Sequence, residues 1–260
     1  MSQDVALITG ASSGIGEAIA RRLALGKKNL AVVARRTDRL EALAGELSAK
    51  HGIDVHVIGA DLDQAEAPQK IAAEIERRGL AVDWLINNAA FGTYGFFHAL
   101  PIERELAEIR VNVMALVELT SRLLPGMLAR RRGAVINISS VGAFMPGPGF
   151  ATYAATKAFI VSFTDSLAIE LRGTGVDVLC VCPGPTRTEF HSHIDFDTKK
   201  FPDYLWMTAD NVAEEAVRAV GKKTLVVNGS MTRVIKAVMA ILPRWAVLKL
   251  SDGVMPETKP

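Results

Sequence analysis

A chain of 260 residues with 49% hydrophobic side chains can bury most of its surface around one core, so a single domain over residues 1–260 is expected. The formal net charge of +2, with no basic face interleaved with aromatics before residue 220, argues against a nucleic-acid partner. The first apolar run begins a few residues into the chain, which leaves no room for a signal or transit peptide and leads us to expect a cytoplasmic, reducing compartment.

That first run, residues 5–9, leads straight into Gly10, Ser12, Ser13, Gly14, Ile15 and Gly16, and a helical pattern follows through Leu25. Strand, glycine turn and helix in this order make a dinucleotide-binding arrangement. The glycines let backbone approach a pyrophosphate, and the helix N-terminus offers it unpaired N–H groups. A second run, residues 30–34, ends at Arg35 and Arg36, where NAD-binding folds place a carboxylate for the ribose 2′-hydroxyl. An arginine fork at that place suits a phosphate dianion, so the expected cofactor is NADP. Thr37 with Asp38 is positioned to cap a helix over residues 39–50.

Further strand-like runs fall at 55–59, 82–87, 134–139, 176–182 and 225–227, separated for the most part by amphipathic helical segments. Alternation of this kind predicts an α/β fold with a parallel sheet covered on both faces, and the near-continuous Val, Ile and Leu content fits strands buried from both sides. Thr208 or Asp210 marks the start of a helix over 212–220. Cys180 and Cys182 point to one face of a strand and read as core thiols. His191 and His193 have no third ligand at a helical spacing, so no metal is expected.

Tyr153 and Lys157 stand four residues apart in a helix-favouring stretch, which puts phenol and ammonium on one face. A free tyrosine titrates near ~10, and a fixed neighbouring cation is expected to lower that value toward neutral pH. Taken with the glycine turn, the order Asp61-Leu62, Asn87-Asn88-Ala89, Asn112, Ser139-Ser140, Tyr153…Lys157 and Pro183-Gly184…Thr186…Thr188 resembles the short-chain dehydrogenase/reductase family, in its branch of roughly 250 residues. The resemblance is close over residues 4–190 and implies a Rossmann-type, doubly wound parallel sheet of seven strands, with a helical C-terminal tail.

The same resemblance assigns roles. Tyr153 is the general acid or base toward a carbonyl or alcohol, and Ser140, thirteen residues before it, holds the substrate oxygen in preference to Ser139. Lys157 lowers the tyrosine pKa and meets the nicotinamide ribose, while Asn112 holds a water that links the lysine to solvent. Asp61 contacts the adenine amino group with the Leu62 amide beside it, and Asn88 and Ala89 pass near the ribose. Pro183, Gly184, Thr186 and Thr188 lie beside the carboxamide and phosphates, and NADP preference falls to Arg35 or Arg36. A homodimer or homotetramer is implied, formed by the helices carrying Asn112 and Tyr153. An alternative is a sensor or scaffold that binds NADP without chemistry.

Between 188 and 208 the pattern turns irregular and aromatic, with Phe190, Phe196, Phe201, Tyr204 and Trp206, and this segment is expected to be a substrate lid. Together with Phe91, Phe96, Phe97, Phe144 and Phe150 it implies an apolar pocket for a hydrophobic carbonyl or alcohol. From 221 to 250 there are six basic residues and no acidic one. Within the 230–260 tail, Val234, Ile235, Val238, Ile241 and Leu242 share a helical face with Arg233 and Lys236 opposite, which suits an anionic membrane surface, a substrate cover or a subunit contact.

Overall fold

The computed structural model describes residues 3–190 and 203–252. His191, His193, Phe196 and Phe201 therefore lie outside the described residues, as do most of the expected lid and the last residues of the tail. Strands and helices alternate: β1 (Gln3–Thr9), α1 (Gly14–Leu25), β2 (Leu30–Ala34), α2 (Thr37–His51), β3 (Val55–Gly59), α3 (Ala67–Arg77) and β4 (Leu80–Asn87). The chain continues through α4 (Ile102–Ile109), one turn of π-helix (Arg110–Met114), α5 (Ala115–Ala129), β5 (Gly133–Ile138), α6 (Ala151–Glu170) and β6 (Val176–Cys182). Two short strands, β7 (Thr186–Arg187) and β8 (Met207–Thr208), precede α7 (Ala209–Ala219), β9 (Leu225–Val227), α8 (Ser230–Ile241) and α9 (Arg244–Ser251).

Seven strands form one parallel sheet in the order β3-β2-β1-β4-β5-β6-β9, and β7 pairs with β8 apart from it. Period-two alternation divides the apolar side chains between two cores. Ala6, Ile8, Val32, Ile86, Ile136 and Leu179 face α1, α2 and α7. Val5, Leu7, Val33, Leu85, Val135 and Val178 face α3, α5 and α6. Each fully buried Leu, Ile or Val contributes about 1.5–3 kcal/mol, which is why both faces need their helices. The helical stretch Ile102–Ala129 is long and apolar enough to cross a membrane. Here Leu116, Leu119 and Met127 of that stretch are buried in the protein instead.

Thr208 caps α7, its hydroxyl accepting from the Asn211 N–H at 3.2 Å. The expected cap at Thr37 is not formed: Thr37 is already inside α2, Arg36 holds the cap position without a capping side chain, and Asp38 lies in the first turn, where its charge suits the helix dipole. Strands β1 and β4 start earlier than their β-branched runs, at Gln3 and Leu80. Cys180 and Cys182 are buried free thiols with sulfurs 3.8 Å apart. Succession runs outward from β1 to β3 and then returns to β4 on the other side of β1. A crevice therefore opens beyond the carboxyl ends of β1 and β4.

Candidate active site

The glycine turn after β1 is shaped by what a side chain would strike. Gly10 has φ +68°, and a Cβ there would lie 2.9 Å from the Ala89 Cα; a Cβ on Gly16 would lie 2.4 Å from the Gly10 carbonyl oxygen. Gly14, at φ +61°, opens α1, and a Cβ on it would come within 3.1 Å of the Thr188 methyl. Ser13 stands at the N-cap and Ile15 packs on the core, so the bare N-terminus of α1 faces the crevice. Asn88 braces this turn, its amide donating to Thr9 O at 2.9 Å and Gly10 O at 3.3 Å, while Thr9 Oγ1 accepts from the Asn88 and Ala89 N–H groups. The Asn88 side chain is thus committed to the backbone of the turn.

Of the two arginines after β2, Arg35 is exposed and Arg36 reaches the turn. Its Nη2 lies 3.1 Å from Ser12 Oγ and 2.9 Å from Ser13 Oγ, and its Nη1 lies 2.8 Å from Glu189 Oε2. Arg39, one turn along α2, holds the other oxygen of Glu189 at 2.6 Å. These two guanidiniums keep the Glu189 carboxyl well below its ordinary range, at about 2. Asp61 accepts from the Asp63 N–H at 3.2 Å, and Leu62 is buried against the sheet. Thr186 turns its hydroxyl inward to Gly184 O at 2.9 Å, and Pro183 O accepts from the Val141 N–H at 2.9 Å.

Beyond β5 and at the start of α6 the catalytic candidates meet. Ser139 is buried and donates to Lys157 O at 2.7 Å, whereas Ser140 lies beside the Tyr153 ring at Gly142 and accepts from the Gly142 N–H at 3.1 Å. Lys157 is 2% exposed, its Nζ 3.0 Å from Ile138 O and 5.5 Å from the Tyr153 ring centre. Asn112, in the π-turn, pairs with both main-chain groups of Phe91 and with Thr156 Oγ1, at 2.9–3.1 Å. Its side chain is a staple between α6 and residue 91.

The Tyr153 phenol moves up from its ordinary value and not down as the spacing suggested. Burial pushes the Tyr153 phenol up to about 12, with the Ser140 hydrogen bond pulling only partly against it. Burial likewise pushes Lys157 down to about 8. Desolvation outweighs the attraction that spacing alone suggested, because the ammonium points to a carbonyl and meets the ring only at a distance.

The aromatics divide. Phe190 packs 5.4 Å from the Tyr153 ring, Phe150 lies 6.1 Å from it, and Tyr94 lies 4.7 Å from Phe150. Phe97 and Tyr204 are mostly exposed, and Phe144 lies under the Lys236 ammonium at 5.4 Å. Lys236 thus faces inward, while Val234, Val238 and Ile241 of the apolar face are exposed. Arg39 and Glu189, and the buried pair Glu105 and Glu108 on α4, were not among the expected site residues.

A profile of the short chain dehydrogenase family matches residues 4–198. A 7beta-hydroxysteroid dehydrogenase of Collinsella aerofaciens is 32% identical over 229 residues, covering 87% of this chain and 86% of its own. A very-long-chain 3-oxoacyl-CoA reductase of Anas platyrhynchos is 31% identical over 251 residues, covering 94% of this chain and 78% of its own. Among solved structures, one from a study of 7beta-hydroxysteroid dehydrogenase stereoselectivity superposes with a TM-score of 0.87 at 29% identity over 96% of both chains. Another, a short-chain dehydrogenase from Sphingobium yanoikuyae in complex with NADPH, does so with a TM-score of 0.81 at 30% identity over 93% of this chain and 97% of that one. With that family match over most of the chain and these likenesses in sequence and fold, the chain belongs to the short-chain dehydrogenase/reductase family.

Proposed function

We propose that this protein is an NADP-dependent oxidoreductase that interconverts a carbonyl and an alcohol on a hydrophobic substrate, with Tyr153 as the proton-transfer group. The observation that carries the reading is the meeting of Ser140, Tyr153 and buried Lys157 at the carboxyl edge of the sheet that carries the glycine turn. The turn fits a dinucleotide, since a Cβ would fill it at Gly10 or Gly16, and Arg36 beside Ser12 and Ser13 supplies donors for a 2′-phosphate. Several solved relatives contain NADPH or NADP. When bound, NADP(H) supplies or accepts the hydride.

The side chains supply the remaining chemistry. Ser140 holds the substrate oxygen, and Tyr153 passes its phenolic proton to that oxygen as charge develops on it. A phenol held up at about 12 stays protonated near neutral pH, which favours its use as an acid in reduction. Lys157, buried and fixed on Ile138 O, would hold the nicotinamide ribose of the bound cofactor. Phe150, Phe190 and Tyr94 wall the space around the phenol and favour an apolar ring ketone or long-chain carbonyl. Exposed Ile102, Leu106, Ile109 and Met114 form the surface we assign to a second copy of the chain.

The test is NADPH oxidation by the purified protein over a panel of steroid ketones, aryl ketones and long-chain 3-oxoacyl thioesters. Turnover of at least one class is expected. Tight NADPH binding with no turnover anywhere on the panel would overturn the enzymatic reading and favour an NADP-binding sensor.

A further inference from the structure

Behind Tyr153 lies a buried polar cluster that the proposed proton transfer does not use. Glu105 and Glu108, three residues apart on α4, are 3% and 0% exposed. The Thr93 hydroxyl sits between them, 2.5 Å from Glu105 Oε1 and 3.0 Å from Glu108 Oε2. The Thr93 N–H also donates to Glu108 Oε2, at 3.0 Å. The Thr152 hydroxyl donates to the second oxygen of Glu105, and Glu108 Oε1 is buried without a partner.

The hydrogens of this cluster can be counted. A threonine hydroxyl has one hydrogen to donate and two lone pairs to accept with. If both carboxyls were ionised, Thr93 could donate to only one and would face the other oxygen to oxygen, in a buried site where the repulsion is poorly screened. With one proton on the pair, a carboxyl O–H donates to Thr93, and Thr93 donates to the remaining carboxylate. Every short contact then has a hydrogen. Burial holds the Glu108 carboxyl up at about 7, with Glu105 adding to the effect and Thr93 and Lys157 opposing it. Among nearby cations, Arg104 lies over the Phe91 ring and Arg110 is paired with Asp63.

The cluster also has a mechanical position. Phe91 is held through its main chain by Asn112, and Thr93 is held by Glu105 and Glu108. Gly92, between them, runs so close to the phenol that a Cβ there would lie 3.0 Å from Tyr153 Cδ2. Thr152, next to Tyr153 on α6, is tied to the same Glu105. One carboxyl pair therefore clamps both the 91–93 segment and the first turn of α6 around the Tyr153 ring. We propose that Glu105 and Glu108 share a single proton through Thr93 and act as positioning residues for Tyr153, the shared proton holding the clamp closed and its loss placing a second negative charge behind the phenol.

The inference rests on Tyr153 as the proton-transfer group, but its first test needs no substrate. Infrared spectra of the wild type should show a protonated carboxyl band at about pH 6, well above the ordinary glutamate value of ~4.3, and lose it above about pH 8. The band should be missing from Glu108→Gln, whose amide can still donate to Thr93. Absence of the band in the wild type, or its persistence unchanged in Glu108→Gln, overturns the proposal. The wild-type measurement stands even if a variant fails to fold. With a substrate in hand, Glu108→Gln should keep kcat within about threefold at pH 6 and lose the wild-type ionisation near neutrality, whereas Glu108→Leu, which cannot bond Thr93, should fall about tenfold or more. Equal losses in the two variants would mean that the carboxyl only fills space, and would also overturn it.

Discussion

The Arg36 guanidinium and the Glu189 carboxylate lie 2.8 Å apart across the glycine turn, and Arg39 grips the same carboxylate from the other side at 2.6 Å. An internal anion thus sits beside Ser12 and Ser13, where the fork after β2 is expected to receive a phosphate dianion.

Cofactor preference follows from that arrangement. Removing the internal anion in Glu189→Gln should tighten NADPH about threefold or more and leave NADH unchanged. Arg36→Ala should weaken NADPH by tenfold or more at little cost to NADH, since charged hydrogen bonds are worth about 1.5–3 kcal/mol. Calorimetric titration of both cofactors measures this. Weaker NADPH binding by Glu189→Gln would mean that the carboxylate orients the arginines and does not compete for them.

The two serines should separate cleanly. Ser140→Ala removes the hydroxyl beside the phenol and should lower kcat/KM by ~100-fold with little change in melting temperature. Ser139→Ala removes the buried bond to Lys157 O and should cost about 1 kcal/mol of stability with most activity kept. Unfolding curves and initial rates on the two variants check it.

Glu108 should leave a mark on stability against pH. Its carboxyl is raised from 4.5 to about 7 in the folded chain, so the native state holds a proton that the unfolded state has released between those values. Its contribution is full below 4.5 and fades as pH rises through about 7. Glu108→Gln should flatten the decline in stability across that window, as followed by melting temperature or denaturant midpoint.

The C-terminal helices leave an apolar strip outward, with Ile241 82% and Trp245 71% exposed beside Val234, Val238 and Leu248. Arg244 and Lys249 flank this strip, while Lys236 turns inward over Phe144. Binding to vesicles rich in anionic lipid should appear at low salt and weaken as salt is raised. Trp245 fluorescence should shift on binding, and Arg244→Gln with Lys249→Gln should reduce it severalfold. An unchanged signal at low salt would assign the strip to another copy of the chain.

Much of the fold was legible because buried parallel strands are continuous Val, Ile and Leu runs, as at 30–34 and 176–182, and because glycines mark the turn after β1. Boundaries were less so: Leu80-Ala81 extends β4 upstream through pairing with Gln3-Asp4, a long-range effect that local composition does not carry. Tyr153 and Lys157 were singled out by their spacing and Ser140 by the family resemblance, whereas the direction of the tyrosine pKa depended on burial, which spacing does not report. Glu189 lies 150 residues from Arg39 in sequence. Glu105 and Glu108 at i, i+3 look like an ordinary solvated helix face until Thr93 and Thr152 are folded over them.

The central claim is that Tyr153 moves the proton, and the most direct test is NADPH-dependent carbonyl reduction by the wild type and by Tyr153→Phe, with NADPH affinity measured on both. The account predicts turnover by the wild type, a loss of at least ~100-fold in the variant, and NADPH affinity within about twofold. Retention of more than about a tenth of the activity by Tyr153→Phe would contradict it.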